Sequence, residues 1–218
     1  MNLADRTWTE LTGASFVLLI PLGSTEQHGP HLPLDTDTRI ASAIAAGAAS
    51  RRTDVLAAPA LAYGASGEHA GFAGTLSLGT EALGLALVEL VRSAGTEFRA
   101  VTFVNGHGGN ADAVTAAIDQ LRAEGRRVDA WWPRTSGDAH AGRTETSLLL
   151  EICPTAVRLD RLEAGNTEPL DRLAGRLRQG GLAAVSPNGV LGDPRTASAG
   201  HGRSLLAALV DDLMAHIP

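Results

Sequence analysis

From Glu26 to Leu34 the sequence reads EQHGPHLPL, a carboxylate, two imidazoles and two prolines in close succession, and Asp35 and Asp37 follow at once. Glu26 and His28 are two residues apart, so in an extended segment their side chains share one side. Asp37 lies far enough past His28 for the proline-bearing loop to turn back toward them. A carboxylate, an imidazole and a further carboxylate suit a borderline divalent cation such as Zn, Mn or Fe(II). A polar turn with a hydrogen-bonded histidine accounts for Glu26 and His28 equally well when they are taken alone. One loop rarely supplies a whole dinuclear site, so further ligands are expected from elsewhere in the chain.

Three other segments offer reactive groups. In VNGHGGN, His107 follows an apolar run and precedes a helical pattern, and the glycines after it permit close backbone approach. A phosphate cradle at a helix N-terminus is the competing reading, although the GxGxxG spacing is absent. In DAHAGRTETS, His140 is a ligand, a general acid/base or a substrate contact. Glu145 is either a partner in that chemistry or a first-turn carboxylate favoured by the helix dipole. The glycine-rich GASGEHAGFAGTLS has the character of a loop that covers a substrate. His69, Phe72, Thr75 and Ser77 within it, with Asp138, are the candidate substrate contacts. No GxSxG elbow is present, which argues against serine acyl transfer.

These groups need a scaffold, and the chain alternates β-like and helix-like runs. SFVLLIPLG, DVLAAPALAYG, RAVTFVNG and RRVDAWWP read as strands, the second interrupted by Pro59. Helices are expected over 38–52, 80–94 with Thr80 as N-cap, from the NGHGGN turn to Gly125, over 145–152 and 170–178, and from Arg203 onward. The pattern predicts one domain over 1–218, an α/β fold with a three-layer α/β/α sandwich around a mainly parallel sheet. In such sheets function gathers past the carboxyl ends of the strands, where the reactive segments fall. The section from Gly180 to Gly202 is too long for a plain connection and is expected to close the site or an interface.

Composition removes several classes. The chain has 218 residues and a net charge of −6, and all 18 of its basic residues are arginine. Without lysine there is neither Schiff-base chemistry nor a P-loop. Scattered arginines on an acidic chain argue against nucleic acid as a partner, and no apolar run is long enough for a membrane span. The single cysteine, Cys153, cannot form an internal disulfide, which fits a cytoplasmic protein, and it is expected to be a small buried side chain.

The blocks PLGSTEQHGPHLPLDTD, FAGTLSLG, FVNGHGGN, DAHAGRTETS and SPNGVLGDP stand in the order and spacing of the creatininase (creatinine amidohydrolase) family, and the resemblance spans about Pro21 to Gly202. Within it, AYGASGEHAGFAGT is most like the peptidase branch of the mycofactocin system, associated with removing a C-terminal Val-Tyr dipeptide from a radical-modified precursor peptide. The resemblance implies a creatininase-like fold, a homo-oligomer and two divalent metals per subunit, Zn and/or Fe(II) or Mn. It implies Glu26, His28, Asp37 and His107 as ligands, with Asp37 bridging, and His140 as the catalytic histidine with Glu145 as its downstream carboxylate. The pattern departs at Gly109, where creatininase has a glutamate that binds the second metal. That metal then takes Glu145, binds weakly or is absent. His31 and Asp35 are read as support. The substrate is a short modified peptide, or alternatively a small cyclic amide or formamide of the creatinine or formamidopyrimidine type. A flavodoxin-like phosphate-binding module without catalysis is the non-enzyme alternative.

Overall fold

The computed structural model describes residues 1–135 and 137–218. The chain runs α1 (Trp8–Leu11), β1 (Phe16–Leu22), α2 (Thr36–Arg51), β2 (Val55–Ala57), α3 (Thr80–Ser93), β3 (Phe98–Asn105), α4 (Ala111–Ala123), β4 (Val128–Trp131), α5 (Arg143–Ile152), α6 (Leu170–Gly180) and α7 (Ala199–His216). The strands form one four-stranded parallel sheet in the order β2-β1-β3-β4.

β1 explains why the sandwich has three layers. Val17 and Leu19 face one side, packed with Ile40 and Ile44 of α2, Leu149 of α5 and Leu209 of α7. Leu18, Ile20 and Leu22 face the other, packed with Leu83 and Leu87 of α3 and with Val114 and Leu121 of α4. Both faces of the strand are covered, so its sequence is continuously apolar and does not alternate. Each such Leu or Ile withdrawn from water contributes about 1.5–3 kcal/mol.

The strand order creates the functional crevice. From β1 the chain moves outward through α2 to β2, then returns through α3 on the opposite face to β3. Neighbouring β1 and β3 therefore send their exits to opposite sides of the sheet, which is the arrangement that opens a cleft at the carboxyl ends. The pairing continues past the strands: Gly106 N donates to Leu22 O at 2.8 Å.

Several boundaries differ from expectation. β2 is only Val55–Ala57, because Pro59 has no N–H for the ladder; Leu61 meets Leu22 in an isolated bridge. Thr80 is the first helical residue of α3 and Gly79, at φ 75°, takes the cap position. α5 begins at Arg143, one turn into the reactive block. Cys153 is half-buried, with its sulfur 3.3 Å from Arg39 Nη1.

The last helix shows the largest shift. α7 starts at Ala199, capped by the Ser198 hydroxyl, which accepts from His201 N. Its glycines suggested a later start, but Gly202 serves packing: a Cβ there would overlap the Ser147 carbonyl of α5. Gly202→Val is therefore expected to push α7 off α5 and to cost about 1–3 kcal/mol. Urea unfolding reads this out; an unchanged midpoint would show that the close approach carries no stability.

Candidate metal centre

The site begins where β1 stops. Gly23 has no space for a Cβ against Thr38, and Ser24 Oγ donates to Asp37 Oδ2 at 2.8 Å. The next segment folds back on itself through Glu26 N donating to Leu34 O and a bridge between His28 and Leu32, turning at Gly29 with φ 64°. That hairpin-like return carries Glu26 and His28 to Asp37 in the first turn of α2. At the exit of β3, Asn105 Nδ2 donates to His107 O at 2.6 Å. Asn110 ties three segments together: its Nδ2 reaches Gly23 O and Asn105 Oδ1, while its Oδ1 accepts from Ala65 N.

The side chains so placed converge. Asp37 Oδ1 lies 3.0 Å from His28 Nε2, and Asp37 Oδ2 lies 3.1 Å from His107 Nδ1. Glu26 Oε2 is 3.2 Å from His107 Nε2, and Glu26 Oε1 is 3.1 Å from His69 Nε2. Glu145 Oε2 stands 3.9 Å from His28 Nε2. Glu26 and His28 are wholly buried, and Asp37 and His107 nearly so. Neither oxygen of the buried Glu26 receives a well-formed hydrogen bond among the described residues. An undonated buried carboxylate is costly unless a cation satisfies it.

Three sets of ligand atoms each lie within 4.8 Å of one another: Glu26, Asp37 and His107; His28, Asp37 and Glu145; and Glu26, His28 and His140. The first two share Asp37, so the donors fit a pair of adjacent divalent cations bridged by that carboxylate. Nitrogen and oxygen ligands without a thiolate suit Zn, Mn or Fe(II).

Gly109 gains a physical reason here. A Cβ at that position would collide with the Ala65 carbonyl, the Glu68 carboxylate and the His107 ring. A glutamate is therefore excluded, and Glu145 is the carboxylate that stands by His28. Its placement uses a left-handed residue, Ala141 at φ 52°, whose N–H donates to Glu145 Oε2 at 2.6 Å. Non-glycine residues rarely hold that conformation, and those that do cluster at functional sites.

Burial and neighbouring charge act in opposition on the histidines. Burial alone would lower His28, but Asp37 beside it pushes it up to about 9. His107 likewise overcomes burial through its contacts with Asp37 and Glu26 and rises to about 11. Burial lowers His140 well below its usual range, reinforced by the charges of His28 and His69, and it lowers His69 to about 3. Asp37, despite burial, is held well below the usual carboxylate range by His28 and His107. Glu145 is raised by burial to about 7. Without cations, then, His28 and His107 carry the positive charge that balances the carboxylates.

The candidate substrate residues divide. Asp138 lines a cavity of about 190 Å³ together with Asp37, His107, His140, Glu145 and Thr144. Its Oδ2 also accepts from Arg143 N and Asp193 N, so it anchors two loops. His69 is buried against Glu26 instead of facing that cavity. Phe72 packs on Leu173, Leu182 and Leu191. Thr75 Oγ1 accepts from Gln27 N, and Ser77 Oγ accepts from Ser66 N and Gly79 N. The last three pin the glycine-rich loop and lie outside the cavity wall. His31 supports the loop through Thr146 Oγ1 at 2.8 Å, and Asp35 pairs with Arg39 at the surface.

Gln27 went unread in the sequence. Its Oε1 accepts from Gly29 N, which fixes the amide, and its Nε2 lies 3.1 Å from each of His69 Nδ1, His140 Nε2 and Gly189 O. Its amide therefore meets the same histidines that stand beside Glu26 and His28. The section 180–202 supports the site from behind its lining: Leu191 pairs with the His140 backbone, and Gly189 O accepts from Gln27 Nε2.

The charge balance has a measurable consequence. Cation uptake by apoprotein at pH 7 should release about two protons per chain from His28 and His107, with a further fraction from Glu145, because ligating imidazoles must be neutral and ligating carboxylates ionised. Calorimetry in buffers of differing ionisation enthalpy reads this number, and affinity should rise with pH. Both histidines sit above their ordinary 6.5, so their contribution to apoprotein stability is full below about pH 6.5 and is lost as pH rises through about 9 and 11. Uptake without proton release would contradict the charge assignment.

Known proteins share this architecture. A family model described as creatinine amidohydrolase matches residues 4–217. The mycofactocin precursor peptide peptidase of Mycobacterium tuberculosis (strain H37Rv) is 54% identical over 227 residues, covering 99% of this chain and 90% of that protein. Its counterpart in Mycolicibacterium smegmatis is 56% identical over 219 residues, covering 96% of this chain and 87% of that protein. A solved creatininase bearing a tryptophan-to-alanine substitution superposes with a TM-score of 0.84 at 26% identity, covering 99% of this chain and 96% of the other. Solved creatininases include a Zn-Zn type and a Mn form. By the family match over nearly its whole length, the chain belongs to the creatininase (creatinine amidohydrolase) family.

Proposed function

We propose that the protein is a metal-dependent peptidase that removes a C-terminal Val-Tyr dipeptide from the modified mycofactocin precursor peptide. The observation that carries the hydrolytic reading is the buried Glu26–His28–Asp37–His107–Glu145 cluster opening onto a cavity that His140 also lines. The peptide substrate is supported by the identity to peptidases named for that precursor.

Glu26, Asp37 and His107 would hold one divalent cation and His28, Asp37 and Glu145 a second. When bound, such cations supply hydroxide at neutral pH and polarise a carbonyl oxygen. The remaining steps fall to side chains. Burial holds His140 well below its usual range, so the imidazole is neutral at pH 7 and has a free lone pair. Its Nε2 lies 2.9 Å from Gln27 O and 3.1 Å from Gln27 Nε2, which hold the ring toward the cavity. It would take the proton of the attacking water and deliver it to the leaving amine, which cannot depart as an anion. Glu145 orients the turn that carries His140 through its bond to Ala141 N.

The assembly we infer is a homo-oligomer. Leu76, Leu78, Leu85 and Leu90 are exposed on the glycine-rich loop and α3, an apolar surface suited to a second copy. No helix among the described residues is long and apolar enough to cross a membrane.

Incubating the metal-loaded protein with precursor peptide and weighing the products by mass spectrometry tests the reading. Release of Val-Tyr is expected; intact peptide alongside turnover of creatinine or a formamidopyrimidine would replace it with the small-amide alternative. His140→Ala should lower kcat about 10²–10⁴-fold while metal content stays at the parent level. Glu26→Gln should instead lose metal, as elemental analysis would show.

A further inference from the structure

His140 differs from the other histidines of the cluster in having no carboxylate beside it. His28 stands 3.0 Å from Asp37, His107 3.2 Å from Glu26 and His69 3.1 Å from Glu26, whereas His140 forms no such pair among the described residues. A base that moves a proton needs a partner on its other nitrogen to fix the ring and its tautomer. At His140 that partner is main-chain: Nε2 lies 2.9 Å from the carbonyl oxygen of Gln27. Nδ1 makes no hydrogen bond among the described residues and is not enclosed, so it opens on the cavity that His140 lines.

The donors and acceptors around Gln27 admit one assignment. Gly29 N donates to Oε1 at 2.8 Å, which identifies the oxygen of the amide. Its NH2 then faces Gly189 O, His69 Nδ1 and His140 Nε2, each at 3.1 Å, with two hydrogens for three neighbours. Gly189 O can only accept, so it takes one. Gln27 O also can only accept, so its 2.9 Å contact with His140 Nε2 is a hydrogen bond only when that nitrogen carries the hydrogen. Were Nε2 bare, two lone pairs would face each other. The second amide hydrogen therefore goes to His69 Nδ1, and His69 turns its Nε2 hydrogen toward Glu26 Oε1 at 3.1 Å.

We propose that Gln27 is a positioning residue that holds His140 as the Nε2–H tautomer, so that Nδ1 is the nitrogen that moves the proton. This rests on the hydrolytic reading above and names its reacting atom. The Nδ1 lone pair takes a proton from the attacking water and gives it to the leaving nitrogen as the C–N bond breaks. The Nε2 hydrogen stays on Gln27 O throughout, and the ring ends as it began. A neutral carbonyl in this place adds no negative charge to a cluster that already holds Glu26, Asp37 and Glu145.

The Gln27 side chain matters because it aims its own carbonyl. Its amide ties the segment at Gly29 to Gly189, and two residues further on Leu191 N donates to His140 O at 2.8 Å. Ring and backbone of His140 are thus held from the two ends of one circuit through Gln27, Gly189 and Leu191. The fit at its centre is close: a Cβ at Gly189, which has φ 75°, would overlap Gln27 Oε1.

The tautomer can be read without substrate. In zinc-loaded protein carrying isotope-labelled histidine, long-range proton–nitrogen correlation NMR separates protonated, bare and metal-bound ring nitrogens, and His140→Ala identifies the His140 signals. Protonated Nε2 and bare Nδ1 are expected; a proton or a metal on Nδ1 overturns the assignment. Gln27→Leu removes the amide, and Gln27→Glu keeps its size but cannot donate to Gly189 O. Both should give mixed His140 tautomers and lower kcat about 10–100-fold on the substrate that the parent cleaves, with KM and metal content near the parent's. Parent kcat in both variants, or lost activity with the single tautomer retained or with metal lost, refutes the positioning role. If the parent cleaves neither peptide nor small amide, the hydrolytic reading fails, while the tautomer and its loss in the two variants still decide this one.

Discussion

The centre depends on one buried carboxylate. Asp37 is almost fully enclosed, yet it stays ionised because His28 and His107 stand at its two oxygens, one of which also accepts from Ser24 Oγ. A lone carboxylate in that position would be driven to protonate; opposite charge on both sides reverses the outcome. The three partners come from the exit of β1, the returning loop and the exit of β3, so the charge can be balanced only if β1 and β3 are neighbours and α2 starts beneath them. The sheet order meets that condition. Electrostatics and topology thus constrain each other: moving either strand would leave a buried ion unpaired.

Such convergence demands close backbone approach, and glycine supplies it at each crossing. Gly23 passes Thr38, Gly106 passes the Asp37 carbonyl and Gly109 passes the Ala65 carbonyl. A side chain at any of these would separate the segments that Asn110 binds together. Function and stability draw on the same contacts here, so the glycine-rich character of these loops reflects packing around the ligands more than freedom of movement. The glycine-rich loop itself is fastened by Ser77 and by Leu76 N donating to Thr25 O at 2.8 Å.

The layers, and the convergence of most candidate ligands, were readable because they rest on local signals. A continuous apolar strand such as 16–22 announces burial on both faces, and reactive residues placed after strands announce the crevice. Glu26, His28, Asp37, His107 and Glu145 do meet. What the sequence concealed depends on contacts distant along the chain. Gln27 looked like a spacer because its partners, His140 and Gly189, lie more than a hundred residues away. Gly202 looked like a helix breaker because Ser147, which requires it, belongs to another helix. His69, Phe72, Thr75 and Ser77 looked like substrate contacts because polar and aromatic residues on a glycine-rich loop carry no signal of direction. Three of them are turned to hold the loop, and His69 is turned inward to Glu26.

The first turn of α5 completes the cluster around Asp37. With no side chain tolerated at position 109, the carboxylate beside His28 comes from α5, and the left-handed Ala141 sets the angle at which that helix begins. The same turn that brings Glu145 to the ligands lines a neighbouring cavity with Arg143. Side chains two positions apart in one helical turn keep a fixed offset, unlike groups on separate loops. A carboxylate on the loop after β3 would need the space that the Ala65 carbonyl occupies, so the packing of that loop and the position of α5 are fixed together.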